Sequence, residues 1–223
     1  MPDSPPSQTL QLKVQLRDVH PAVWRRVRVV DRLSIADLHR VIQLLMGWKD
    51  DRLHRFRIHG RSYGIPAIGG LHFGEDAEAV PLARFRFRPT ERFLYEYDFR
   101  AGWRIDIRVE KVLAAVPRPP HPVCLAGRET SPPDACGGPQ DFADQRRAAT
   151  GWAMAEDLDT VAAILRRVAD GDRSALDDPD ECHAFERAVA RLEARRPFLP
   201  GAFERAAVNA ALRQAFTAER GSG

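Results

Sequence analysis

Histidine, paired carboxylates and thiols are the side chains here whose chemistry could go beyond packing, and few of them stand at spacings that let them act together. His54 alternates with Phe56 and Ile58 against Arg55 and Arg57, so on a strand its imidazole points inward. There a hydrogen bond from a neighbour is a simpler expectation than work as a general base. Glu96 and Asp98 share the polar side of another strand at a spacing that permits acid–base chemistry, but facing arginines favour cross-strand ion pairs. A site with catalytic ambitions would draw on His54, Asp98 and Trp103, between the sheet and residues 121–138. Cys124 and Cys136, with His121 close by and Cys182-His183 further on, lack the close C-x₂₋₄-C spacing of structural zinc sites. No metal and no cofactor is expected, and no catalytic residue is assigned. Neither a Walker A loop, nor G-x-G-x-x-G after a strand, nor H-E-x-x-H, nor G-x-S-x-G occurs, and Gly69-Gly70 and Gly137-Gly138 read as turns.

Arginine offers a second kind of chemistry, the recognition of anions. The formal charge is +3 and the pI about 9.0, and only Lys13, Lys49 and Lys111 are lysines. A GC-rich genome explains arginine in place of lysine, but it does not explain position. Arg26 and Arg28, Arg55 and Arg57, Arg84, Arg86 and Arg88, and Arg104 and Arg108 each fall on the polar side of an expected strand. If those strands join one sheet, Trp24, Arg26, Arg28, Arg55, Arg57, Arg86 and Arg104 form a candidate binding surface with Trp24 as a stacking platform. Glu96, Asp98, Asp106 and Glu110 occupy similar positions and would neutralise it pairwise. Nucleic acid or another protein is the partner to be tested, and the expected class is a non-catalytic binding module rather than an enzyme.

Elements to position these residues are legible from periodicity. Ser34 and Asp37 mark a helix start, Ile35, Leu38, Val41, Ile42 and Leu45 form an apolar stripe, and Gly47 is placed to end it. Leu10 to Leu16 and Val23 to Val30 alternate as a hairpin, His54 to Ile58 as a strand, and Phe93 to Phe99 with Trp103 to Val109 as a second hairpin. Phe85 and Phe87 suggest a short edge strand. From Leu158 onward the period is helical. The expected fold is α+β, a mixed, mainly antiparallel sheet covered by one central helix in a β-grasp-like arrangement and followed by a helical C-terminal extension. The expected divisions are a disordered tail at 1–8, a core at 9–116, a Pro/Gly-rich connection at 117–140 packed on that core, and the extension at 141–223.

With 223 residues and 44% hydrophobic content the chain can bury a substantial core. No apolar run is long enough to span a bilayer, the first residues lack a signal-peptide pattern, and three cysteines do not make a disulfide framework. A cytoplasmic protein without a membrane partner is the expectation.

The segments Pro21 to Val27 (PAVWRRV), Leu38 to Trp48 (LHRVIQLLMGW), Leu53 to Gly64 (LHRFRIHGRSYG), Tyr95 to Phe99 (YEYDF), Cys124 to Gly138 (CLAGRETSPPDACGG) and Phe198 to Leu212 (FLPGAFERAAVNAAL) occur in order. Together they resemble the plasmid Ri open-reading-frame-three-like family, also named for a TnpR-like passenger protein of an insertion element. The resemblance implies a compact α+β core and a bacterial mobile-element context, and it brings no established activity. Arg100-Ala101-Gly102 stands where the family's turn reads Gly-Asp, and Ser131-Pro132-Pro133-Asp134-Ala135 stands where Cys-Pro-Pro-Glu-Asp is usual. Recombinase chemistry finds no residues to carry it. Ser4, Ser7 and Ser34 sit in a tail or at a helix cap, and Tyr63, Tyr95 and Tyr97 all precede the helical third.

Overall fold

The first helix is fixed at both ends by its own sequence. In a computed structural model that describes residues 7–65, 73–114, 121–172 and 174–218, α1 spans Ile35–Met46. The Ser34 backbone N–H donates to the Asp37 carboxylate at 2.8 Å, and the Asp37 N–H donates to Ser34 Oγ at 3.0 Å, which closes a capping box. Gly47 takes the left-handed conformation that ends the helix, and Ile35, Leu38, Val41, Ile42 and Leu45 are buried.

Seven strands form one sheet: β1 (Thr9–Leu16), β2 (Trp24–Val30), β3 (His54–Ile58), β4 (Arg61–Tyr63), β5 (Arg92–Tyr97), β6 (Trp103–Leu113) and β7 (Val123–Arg128). Their order is β4-β3-β5-β6-β1-β2-β7. Every ladder is antiparallel, so the expected mixed sheet is corrected, and nothing in this order singles out the β-grasp arrangement. Leu12, Val14, Val27, Phe56, Tyr95, Ile105 and Ile107 lie on the face turned to α1 and are buried. Period-two alternation places them there.

Four differences from the sequence expectation have identifiable causes. β7 lies inside what reads as a Pro/Gly-rich connection, because its six residues alternate weakly and only pairing with β2 makes them a strand. β4 pairs with β3 across a turn at His59 and Gly60, both at positive φ, where the sequence shows a turn alone. Arg84 belongs to a 3₁₀ turn, Leu82–Phe85, and Arg86 follows in the left-handed region, so no edge strand forms and Arg86 leaves the sheet surface. Strand β5 stops at Tyr97. Asp98, at φ +47°, accepts from the N–H groups of Arg100 and Ala101 and starts the turn, which leaves Phe99 exposed rather than on the apolar face.

The chain divides into two compact units, 1–139 with 201–223, and 140–200. The expected extension at 141–223 is therefore split. Helix α6 (Arg205–Ala218) returns to the first unit and packs on β7 and α1, so α1 is not the sole helix there. Asn209 of α6 treats the outer edge of β7 as another strand would: its Nδ2 donates to Cys124 O at 2.9 Å, and its Oδ1 accepts from Cys124 N at 2.8 Å. An edge left open would expose those groups to pairing with a second chain. The second unit holds α2 (Pro139–Ala149), α3 (Trp152–Ala169), α4 (Ser174–Asp177) and α5 (Pro179–Arg195). There α3 packs on α5, and the buried Asp157 is gripped by Arg191 and Arg195. The tail expected at 1–8 falls largely, and Gly69-Gly70 and residues 117–120 wholly, outside the described residues.

Asn209→Ala removes both edge bonds, and each orphaned group costs about 1–3 kcal/mol if it stays dry. The expected result is a stability loss of that order in urea titration, with faster hydrogen exchange at the Cys124 amide. An unchanged midpoint and exchange rate would show that water replaces the side chain.

Candidate functional site

The sheet face turned away from α1 collects the arginines. Arg26 and Arg28 on β2, Arg55 and Arg57 on β3, and Arg104 on β6 alternate with buried residues and so share this face, with Trp24 at its margin. Arg26 is bound by Glu110 through two contacts of 2.5 and 2.8 Å, and Arg55 and Arg57 both grip Glu96 at 2.7 and 2.9 Å. Arg104 pairs with Asp18 at 2.9 Å, and Arg28 reaches only Gln11. Most of the arginines singled out from sequence are thus paired on the spot, with Arg55 and Arg57 sharing one carboxylate between two charges. Trp24 carries Lys13 Nζ and the Arg26 guanidinium at 5.5 and 5.4 Å from its ring centre, which makes it a holder of cations more than a free stacking platform.

Sequence spacing does not reveal the register, and the register assembles something else. Arg92 on β5 faces Arg108 on β6, Arg108 faces Lys13 on β1, and Lys13 faces Arg26 on β2. Four cations stand in one row across four neighbouring strands, roughly 14 Å end to end at the usual strand spacing. Arg92, Arg108 and Lys13 make no direct ion pair with a carboxylate among the described residues, although Glu110 feels the Lys13 charge, and Gln15 and Asp106 complete a small hollow there of about 110 Å³. Asp106 is itself taken by Arg17 at 2.5 Å. Like charges directly opposite one another destabilise a sheet, so this row costs the fold something.

At the end of the sheet three loops meet around a cleft of about 790 Å³, lined by residues 51–53, 98–101 and 134–137. Trp48 stacks on Tyr97, with ring centres 4.9 Å apart, and donates to Pro132 O at 3.0 Å, while Asp134 accepts from Tyr97 Oη and from Lys49 N. Burial, then the nearby Asp134 carboxylate, raises the Tyr97 hydroxyl above its usual range. Gly138, at φ +118°, passes so close to the Ala101 carbonyl that no Cβ fits. Asp98 lines this cleft, but His54 and the almost wholly buried Trp103 do not, so the three residues are not brought into one pocket.

His54 belongs instead to a cluster that sequence periodicity does not single out. His39 on α1 and His54 on β3 are both buried, and their rings stack with centres 3.5 Å apart at an interplanar angle of 11°. The His39 Nε2 is hydrogen-bonded to the Asp50 carboxylate, and its Nδ1 to Tyr95 Oη at 2.8 Å, with Gln43 Nε2 donating to the same oxygen at 2.7 Å. Burial raises the Tyr95 hydroxyl well above its usual value. Asp50 feels burial upward, yet the His39 hydrogen bond, with the fields of His39, His54 and Arg40, leaves it lower than an ordinary aspartate. His54 is pushed from 6.5 down to about 3 by burial first and by His39 second, and its Nε2 is buried with no hydrogen-bond partner among the described residues. The signal for His39 in sequence is its position four residues after Ile35, on the buried stripe. The thiols of Cys124 and Cys136 are buried at separate places, one on β7 and one beside the cleft, and burial raises that of Cys124. No helix among the described residues is long and apolar enough to cross a membrane.

A His whose folded value is depressed stays neutral while the unfolded chain protonates, so stability should fall as pH drops from about 6.5 toward about 3. The slope contributed is at most about 1.4 kcal/mol per pH unit. Urea titrations of wild type and His54→Phe at pH 7, 5.5 and 4, in buffer containing EDTA, should show a flatter dependence in the variant. Equal slopes would show that His54 does not titrate with folding.

The sequence profile of the plasmid pRiA4b ORF-3-like proteins matches residues 8–169. Uncharacterized protein y4hQ of Sinorhizobium fredii (strain NBRC 101917 / NGR234) is 33% identical, over 77% of this chain and 92% of its own. Among solved structures, that of MM3350 from Methanosarcina mazei Go1, a protein of unknown function, superposes with a TM-score of 0.58 at 25% identity, covering 71% of this chain and 90% of that one. With the profile spanning both the sheet and the first helices beyond it, the chain belongs to the plasmid pRiA4b ORF-3-like protein family.

Proposed function

We propose that this chain is a binding module for a nucleic-acid backbone, which it meets with the sheet face turned away from α1. The observation that carries the reading is the row Arg92, Arg108, Lys13 and Arg26, three of whose members make no direct ion pair with a carboxylate among the described residues. A protein has no folding reason to align four cations across adjacent strands, and a phosphate chain supplies the missing negative charge. The broad sheet suits a single strand laid across it better than a duplex groove, which admits a helix or a two-stranded ribbon. Exposed Arg28 and the paired arginines at the flanks add positive potential that steers an anion inward. An accessory role in the cytoplasm of a plasmid-bearing cell agrees with the family's plasmid name. The rival reading, an enzyme at the cleft, is supported by the cleft's size and by Asp98, but it lacks an assembled acid, base and nucleophile.

Gel-shift titrations across 50–200 mM salt, with single-stranded DNA, RNA and duplex DNA, test this. Wild type should bind single strands with a steep salt dependence. The variant Lys13→Ala/Arg92→Ala/Arg108→Ala should bind more weakly, with a log–log slope shallower by about 2, the loss of three phosphate contacts on a single strand. Arg55→Ala/Arg86→Ala should change little, because Arg55 is already paired and Arg86 lies off the sheet. No binding by folded wild type at 50 mM salt would overturn the reading.

A further inference from the structure

We propose that His39, Asp50 and His54 form a binding site for one divalent transition-metal ion of the Zn²⁺ or Fe²⁺ kind. This site is separate from the cation row and independent of it. The three side chains offer two imidazole nitrogens and one carboxylate oxygen, all within 4.8 Å of one another. Two imidazoles with a carboxylate suit zinc and ferrous iron, while the hard ions Mg²⁺ and Ca²⁺ prefer all-oxygen sets. Three protein ligands leave coordination positions for water or a small molecule, as in sites that keep an open position.

The surroundings have the features such a site requires. His39 is almost wholly buried and His54 nearly so, whereas the Asp50 side chain is 46% exposed, so an ion can enter past the carboxylate from solvent. Asp50 is a non-glycine residue at φ +60°, a conformation held at some cost, and it stands in the short α1–β3 connection after the Gly47 cap. Ligating histidines usually have the second nitrogen hydrogen-bonded to a fixed group. Here Tyr95 Oη holds His39 Nδ1 and is in turn held by Gln43.

The stacked rings direct their in-plane lone pairs side by side, so one ring must turn about Cβ–Cγ before both can face one ion. That torsion is broad and soft in histidine. His54 is the ring that turns, since its Nε2 has no hydrogen bond to lose while His39 is held at both nitrogens. Protons balance within the cluster. Without metal, His39 Nε2–H donates to Asp50 and Tyr95 O–H donates to His39 Nδ1. With metal on Nε2, the proton resides on Nδ1 and donates to Tyr95 Oη, and the Tyr95 hydroxyl turns to Gln43. The Gln43 Oε1, buried and unpartnered as placed, accepts that proton once the amide rotates. The change is one of tautomer and rotamer.

The experiment uses the full chain stripped with EDTA and dialysed. Titration with Co²⁺, read by its visible d–d absorption, and with Zn²⁺ by calorimetry should give one ion per chain and a raised melting temperature. Asp50→Asn and His54→Asn, each first shown to melt cooperatively in EDTA, should weaken binding at least tenfold and abolish the metal-induced rise. Tyr95→Phe, which removes only the partner of a ligand, should weaken it about 10–100-fold. Absence of stoichiometric binding by folded wild type, or equal affinity in folded Asp50→Asn and His54→Asn, would overturn the proposal.

Discussion

A buried, unneutralised guanidinium organises the first unit. Arg25 sits on β2 among the core residues with 2% of its surface exposed, and burial brings it from the usual range down to about 10, still a cation at neutral pH. No carboxylate among the described residues meets it. Its Nε donates to Leu45 O at the end of α1, one terminal nitrogen donates to the carbonyls of Trp24 and Arg128, the other donates to Ser131 Oγ, and its plane lies 4.0 Å from the centre of the Phe203 ring. A buried charge is tolerated only when its donors are satisfied, and these acceptors come from three parts of the chain: β2 itself, the end of α1, and the segment from Arg128 to Ser131. The carbonyl end of α1 also carries the negative end of the helix dipole, which is where a cation belongs. Gly127 leaves the room: a Cβ there would meet both the Phe203 ring and the Arg25 stem.

From that clamp the rest of the end of the sheet follows. Ser131 begins the strap that carries Pro132 to Trp48 and Asp134 to Tyr97, and Gly138 brings it against the β5–β6 turn. The segments that carry the family resemblance around Trp48, Tyr97 and Pro132 thereby come together in space, although 84 positions separate the first from the last. The cleft is a consequence of this closure, formed by loops that are held from beneath.

The two faces of the sheet solve opposite electrostatic problems. On the α1 face, polar groups are few and linked in series, from Asp50 through His39 and Tyr95 to Gln43, because a lone polar atom in that medium is expensive. On the other face water screens charge, so arginines and acids are freely interleaved and most pair. Against that background the row across β5, β6 and β1 and the buried Nε2 of His54, one of several buried polar atoms without a hydrogen-bond partner among the described residues, depart from a purely structural design. One lies in solvent; the other lies in the core.

Local chemistry was enough to fix α1 and its caps, the β1–β2 and β5–β6 hairpins, the inward face of β3 and the helical character of the C-terminal third, because each is written in periodicity and in residues within four positions of one another. Strands β4 and β7 were not legible, since a three-residue strand and a weakly alternating one exist only through their partners. Arg25 defied the expectation that an arginine faces water, and only the acceptors folded around it explain its place. Arg26, Arg28, Arg55, Arg57 and Arg104 share one face, yet which cations stay unpaired depends on register: Glu110, Glu96 and Asp18 take Arg26, Arg55, Arg57 and Arg104, while Arg28, Arg92, Arg108 and Lys13 make no direct ion pair among the described residues. Periodicity states which side of a strand a residue takes; the offset between strands, which decides what stands opposite it, is set by bulges, turns and core packing over the whole sheet.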